Sequence, residues 1–98
     1  MIFNESNVKV VRENGYLTKY AGKKAPYFPF TEEDVKNNII LLIDTAYYKS
    51  RIYYLTNYDN GVADFTGFSS TVVNRLSFDF KTMNISSVNY PWATGVAN

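Results

Sequence analysis

The chain has 98 residues, 46% of them hydrophobic and 19% charged, which predicts one globular domain over residues 1–98, with residues 87–98 as a candidate C-terminal tail. Its formal net charge of +1 is too balanced to indicate nucleic acid as a partner by itself, and it contains neither histidine nor cysteine. Without imidazole and thiol groups, Ser-His-Asp and Cys-His catalytic groups, structural zinc sites, iron–sulfur clusters and disulfides are excluded.

The first predicted element is a β-hairpin in the segment NVKVVRENGYLTKY. Its Asn14-Gly15 pair separates two runs that are rich in β-branched and aromatic residues, and Asn-Gly favours the positive φ angles of a two-residue turn. The next segment, AGKKAPYFPF, contains one glycine and two prolines, so it cannot form a regular helix and is a poor interior strand. We expect it to be a crossing loop with aromatic anchors.

A short helix is predicted to begin after Thr31. The segment T-E-E-D has the form of a capping box, and its three acids complement the positive end of the helix dipole. The apolar run at residues 39–43 fits either a buried strand or a continuation of this helix. We favour a strand, because Asn37 and Asn38 are poor helix formers and the run is rich in isoleucine. One long helix is the alternative.

A second hairpin is predicted around Asn60-Gly61, between RIYYLTNYD and VADFTGF. A short helix is then expected to start at Ser69 or Ser70. It is followed by a half-buried strand in LSFDFKTMNIS, in which Leu76, Phe78 and Phe80 alternate with Ser77, Asp79 and Lys81.

Together these elements predict an α+β fold: a mainly antiparallel sheet of about five strands, built on two Asn-Gly hairpins, with one or two short helices on one face. A small β-barrel is the alternative. In the tail, Trp92 either folds back onto the core or projects as an anchor, and we favour folding back. The longest apolar run, residues 39–43, is too short to span a bilayer, and the N-terminus lacks the pattern of a secretory signal. We therefore expect a cytoplasmic protein without membrane contact.

Two clusters of aromatic and basic residues are candidate partner-binding sites. Tyrosine and arginine are common at the energetic centres of protein interfaces, and the same residue types stack bases and neutralise phosphates. The first cluster comprises Tyr47, Tyr48, Lys49, Arg51, Tyr53 and Tyr54. The second, in the crossing loop, comprises Lys23, Lys24 and Tyr27.

For any single tyrosine of these clusters, a place in the core with its hydroxyl at the rim is the simpler interpretation. Side chains alternate along a strand, so Tyr53 and Tyr54 cannot both face a partner. One of them should be a core residue and the other an anchor.

No spacing in the sequence indicates catalytic chemistry. The single G-K-K lacks the glycine spacing of a phosphate loop, and the Asp-Asn-Gly segment lacks the ligand ladder of a calcium loop. We therefore predict a protein that is not an enzyme and that uses no cofactor and no metal.

The predicted function is that of a small protein-binding module, such as an inhibitor from a phage or mobile element that blocks a host or defence factor by occupying its surface. Such an inhibitor would work in the host cytoplasm. The first alternative is a nucleic-acid-binding protein that uses the two basic-aromatic clusters. The second is a virion or assembly component, which would form homo-oligomers.

Overall fold

The computed structural model describes residues 7–91, which form a six-stranded sheet and two short helices. The strands are β1 (Val8–Asn14), β2 (Ile39–Ala46), β3 (Lys49–Asp59), β4 (Val62–Phe68), β5 (Val72–Asp79) and β6 (Ile85–Pro91), and the helices are α1 (Tyr16–Tyr20) and α2 (Glu32–Asn37). The strands lie side by side in chain order. The first pair, β1 and β2, is parallel, and all other neighbours are antiparallel.

This arrangement confirms the α+β class and corrects its details. The sheet has six strands instead of five, and it is mixed, because β1 runs parallel to β2. It is open, with β1 and β6 at its two edges, so the β-barrel alternative is wrong. Neither helix in residues 7–91 has the length and apolar character needed to cross a membrane.

The two Asn-Gly pairs have different roles. Asn60 (φ 50°) and Gly61 (φ 81°) form the predicted two-residue turn between β3 and β4. The first pair does not make a hairpin: Gly15 (φ 76°) ends β1 and begins α1. A parallel partner strand cannot follow a tight turn, so the chain must leave the sheet after β1 and cross over before it enters β2.

The predicted helix start at Thr31 is confirmed. The Thr31 hydroxyl accepts a hydrogen bond from the amide of Asp34, and the Asp34 carboxylate accepts one from the amide of Thr31, which completes the capping box. Asn38 is extended, and the apolar run beyond it belongs to β2, as we favoured over one long helix.

The C-terminal third contains more β structure than the sequence predicted. The expected helix at Ser69 or Ser70 is wrong, because the chain turns there and enters β5, in which Asn74, Leu76 and Phe78 alternate as buried residues. Residues 87–91 of the candidate tail belong to β6. Trp92 lies outside the described residues.

The crossover between β1 and β2, residues 15–38, packs on one face of the sheet, here called the covered face. Phe30 of the crossover lies 5.0 Å from both Phe65 and Phe78 between ring centroids, in tilted and edge-to-face contacts. The buried core contains Val11, Tyr16, Leu17, Ala25, Phe30, Val35, Ile40, Leu42, Tyr53, Ala63, Phe65, Leu76, Phe78 and Ile85.

Asp44, near the end of β2, joins the crossover to the sheet. Its side chain is buried, and its two carboxylate oxygens accept hydrogen bonds from the backbone amides of Tyr16 (3.1 Å) and Leu17 (2.9 Å). Amides in the first turn of a helix have no partner within the helix, so this carboxylate satisfies groups that would otherwise be buried unpaired. Asp44 therefore determines where α1 docks on the sheet.

We expect Asp44→Asn to lower the free energy of unfolding by about 1–3 kcal/mol, because the amide group of asparagine can accept only one of the two hydrogen bonds and leaves a buried donor unpaired. Chemical denaturation of both proteins measures this loss. Asp59→Asn, an exposed substitution at the end of β3, is the control and should change stability by less than about 0.5 kcal/mol. Equal effects of the two substitutions would show that Asp44 does not anchor α1.

Candidate binding surface

The face of the sheet opposite the crossover, here called the open face, carries large apolar side chains. Strand register places them, together with Thr66 and two arginines, in two rows that cross the strands. The middle row comprises Val10, Leu41, Tyr54, Thr66, Arg75 and Val88. The tip row lies nearer the β2–β3 turn. It comprises Arg12, Ile43 and Ile52 on β1 to β3, and Phe68, Val73 and Tyr90 on β4 to β6.

These rows expose much more apolar surface than isolated hydrophobic residues would. Six of their side chains keep 42–57% of their surface exposed, namely Val10, Ile52, Tyr54, Phe68, Val88 and Tyr90. Leu41, Ile43 and Val73 are half-buried between them. A contiguous apolar area of this kind on a small protein marks an interaction surface.

A cleft of about 460 Å³ divides the tip row at the end of the sheet. It lies between the first residues of β3 and the β4–β5 turn, because the register of β3 with β4 begins only at Tyr53 and Gly67. Ile52, Tyr54 and Phe68 line it. Tyr53 and Asn74 of the covered face also line it, so the cleft is a gap between the strands at this end of the sheet.

The charged groups of the two rows are both cationic. Arg12 lies on the edge strand β1, and Arg75 on β5 has its guanidinium 5.8 Å from the ring centroid of Tyr90. No acidic residue occurs in either row. Carboxylates begin one row further from the tip, where Asp64 accepts a hydrogen bond of 2.7 Å from the Ser77 hydroxyl.

The β2–β3 turn presents the first predicted cluster. Tyr47 and Tyr48 are 91% and 88% exposed at its tip, and Lys49 and Arg51 are exposed beside them. Tyr47 has a φ of 61°, a conformation that costs a bulky residue free energy and that glycine or asparagine would adopt more easily. Two exposed aromatic rings at a strained turn are not explained by folding, which makes this tip a second candidate contact.

Tyr53 and Tyr54 lie on opposite faces, as alternation along the strand requires. Tyr53 is buried in the core on the covered face, and Tyr54 is 44% exposed on the open face. The Tyr53 ring lies over Gly67: a Cβ at position 67 would come within 2.6 Å of two ring carbons and 3.1 Å of the Ile52 carbonyl oxygen. Gly67 is therefore required by the close approach of this ring.

The second predicted cluster lies at the other end of the strands. Lys24 forms an isolated antiparallel bridge with Asn84, and the neighbouring Ala25 amide donates to the Met83 carbonyl. These contacts are at the β5–β6 turn, whereas Lys49 is at the opposite end beside the β2–β3 turn. The structure therefore does not bring Lys23 and Lys24 together with the first cluster.

Tyr27, the third member of the second cluster, packs within the crossover. Its ring centroid lies 5.4 Å from that of Tyr16 and 6.3 Å from that of Tyr20. Its carbonyl accepts a hydrogen bond of 2.6 Å from the Tyr16 hydroxyl. Desolvation and the nearby Glu13 carboxylate raise the pKa of the Tyr27 hydroxyl. These contacts give Tyr27 a structural role, although part of its ring is exposed.

The open face was not predicted from the sequence. One signal was available: the first five residues of β2, Ile39 to Ile43, are all apolar, so this strand places apolar side chains on both faces of the sheet. The sequence could not show that only one of the two faces is covered.

Residues 7–91 contain no group of three or more acidic residues arranged to hold a metal ion. No protein-family model matches the chain, and comparisons with curated proteins and with solved structures gave no significant match.

The contact between Tyr53 and Gly67 gives a prediction about the fold of the site. We expect Gly67→Ala to cost about 1–3 kcal/mol of stability, because the new methyl group collides with the Tyr53 ring. In a Tyr53→Leu background the same substitution should cost at least about 1 kcal/mol less. In a Tyr54→Leu background, which changes the opposite face, its cost should be unaltered. Urea denaturation measures the loss of unfolding free energy that Gly67→Ala causes in each background. An equal loss in all three backgrounds would contradict the contact between Tyr53 and Gly67.

Proposed function

We propose that the protein is a protein-binding module that acts by occupying the surface of a partner, as an inhibitor encoded by a phage or mobile element would. The observation that carries this proposal is the open face, with its two rows of apolar side chains beside the strained aromatic tip. Of the nine apolar residues in the two rows, six are aliphatic and three aromatic. A surface of this composition suits protein side chains better than nucleotide bases.

Catalysis is not part of the proposal. The chain lacks histidine and cysteine, and the side chains of the open face are mostly hydrocarbon. Binding free energy concentrates in a few buried aromatic and arginine anchors, and Tyr54, Tyr90 and Arg75 supply such groups within a single surface.

Nucleic-acid binding is the second candidate. It was based on Lys23, Lys24, Lys49 and Arg51 acting together, yet the structure places the two pairs at opposite ends of the strands. They are separated by roughly the 26 Å length of an eight-residue strand. A mobility-shift assay with single- and double-stranded DNA and RNA at low salt tests this candidate, because phosphate contacts are strongest there.

Capture of a protein partner tests the proposed function. The immobilised protein is incubated with a bacterial lysate, and retained proteins are compared between the wild type and Tyr54→Ser/Val88→Ser, which removes two anchors from the middle row. We expect the double variant to fold and to bind the retained protein at least about tenfold more weakly. Truncation of central anchors costs more than about 1.4 kcal/mol of binding free energy, which corresponds to this factor.

Tyr47→Ser/Tyr48→Ser, which removes the two exposed aromatic residues of the tip, separates the contribution of the tip from that of the open face. Lys36→Ser, an exposed substitution on α2, is the control and should leave capture unchanged. Loss of capture by the tip variant alone would move the contact to the β2–β3 turn and leave the open face without a role. Retention of nucleic acid and of no protein would contradict the proposed function.

A further inference from the structure

We propose that the partner element on the open face is an amphipathic α-helix whose apolar stripe is flanked by carboxylates, with Arg75 and Arg12 as the groups that select it. This inference rests on the proposed function and adds the chemistry of the partner. Three features of the open face support it: the shape of the apolar area, the sign of its charge and the position of its polar boundary.

The apolar area is long and narrow. The rows cross six strands that are spaced by about 4.8 Å, so each row is roughly 24 Å long. Measured along the strand direction, the two neighbouring rows and their side chains form a band roughly 10 Å wide. An α-helix has a diameter of about 10 Å, and roughly 16 residues span 24 Å. The band therefore matches one helix lying across the strands, with the cleft between Ile52 and Phe68 able to accept a protruding side chain.

The band is bordered by cations without opposing acids. Arg12 lies in the tip row at the β1 edge, and Arg75 lies in the middle row near the β6 edge, so the two charges are at opposite corners of the band. A helix that covers the band removes water from both guanidinium groups. Desolvated charges need charged partners, and arginine binds carboxylates through paired hydrogen bonds. The helix must therefore carry acidic residues on both flanks of its apolar stripe.

A second copy of the chain does not supply this chemistry. Two copies stacked face to face about a two-fold axis place the same rows against each other, and these rows contain arginines and no acid. A second sheet would also cover the polar row beyond the band, where Asp64 and Ser77 are already paired with each other. An acidic helix places carboxylates opposite the arginines. It covers only the band and therefore leaves the polar row in water.

Two synthetic amphipathic peptides with the same apolar stripe, one flanked by glutamate and the other by lysine, test the inference by fluorescence anisotropy. We expect the glutamate peptide to bind the wild type at least about tenfold more tightly, and its affinity to fall as salt is raised. Arg75→Gln should remove most of this preference, and Arg75→Glu should reverse it. Lys36→Gln, an exposed substitution on α2, is the control and should leave both affinities unchanged.

Failure of the inference differs from failure of the proposed function. Equal binding of the two peptides, or a preference that survives Arg75→Glu, would overturn the acidic helix and leave a protein-binding face. The same holds if neither peptide binds while the capture experiment retains a protein through Tyr54 and Val88. A mixed-sequence single-stranded oligonucleotide that binds at physiological salt and is lost in Tyr54→Ser would overturn both. Sedimentation as a dimer that Val88→Ser dissociates would assign the face to a second copy.

Discussion

A single crossover connects β1 to β2, and the layer that packs against the sheet in residues 7–91 is made from it. Its two short helices contribute Tyr16, Leu17 and Val35 to the core, and the loop between them contributes Ala25 and Phe30, with Phe28 packed beside them. Asp44 attaches this crossover to β2 by accepting two backbone amides of α1. The remaining strands follow as antiparallel neighbours, and within residues 7–91 they add no second layer. The consequence is a sheet with one packed face and one exposed apolar face.

The exposed face carries a cost that folding alone does not explain. Apolar side chains at Val10, Ile52 and Val88 stay in water when polar residues would serve as well on a solvated sheet face. The same holds at the β2–β3 turn, where Tyr47 adopts a left-handed conformation although Asn-Gly forms the β3–β4 turn of the same sheet. The exposed apolar side chains lie in both rows of the open face, and Tyr47 lies beyond them at the β2–β3 turn; partner binding is a common explanation for both features.

Local chemistry in the sequence predicted the elements that depend only on nearby residues. The capping box at Thr31, the turn at Asn60-Gly61 and the strand in β2 are of this kind. The role of Gly15 was not predictable in the same way. Its positive φ suits a hairpin and a strand-to-helix junction equally, and the choice depends on parallel pairing with β2, which is remote in sequence. β5 was missed at its start because Ser69 and Ser70 are common at helix starts and at turns alike.

The candidate site was predicted only in part, for a related reason. Alternation separated Tyr53 from Tyr54 correctly, but it could not say which of the two faces the crossover would cover. Strand β2 is apolar on both sides, with Leu42 in the core and Leu41 and Ile43 on the open face. Residue type predicted one cluster around Arg51 and another at Lys23 and Lys24, but it could not predict how far apart they lie. Their separation follows from the path of the crossover toward the β5–β6 turn.

Cysteine accessibility tests the central claim most directly, because the chain contains no cysteine of its own and single thiols can be introduced. Val88→Cys reports on the open face, Leu76→Cys on the core, and Lys36→Cys on an exposed helix position. We expect that, in the isolated protein, the thiol at position 88 reacts with a maleimide about as fast as that at position 36, while the thiol at position 76 is protected. In the captured complex, position 88 should become protected and position 36 should not. A thiol at position 88 that is unreactive in the isolated monomer, or equally reactive with and without the partner, would contradict the account.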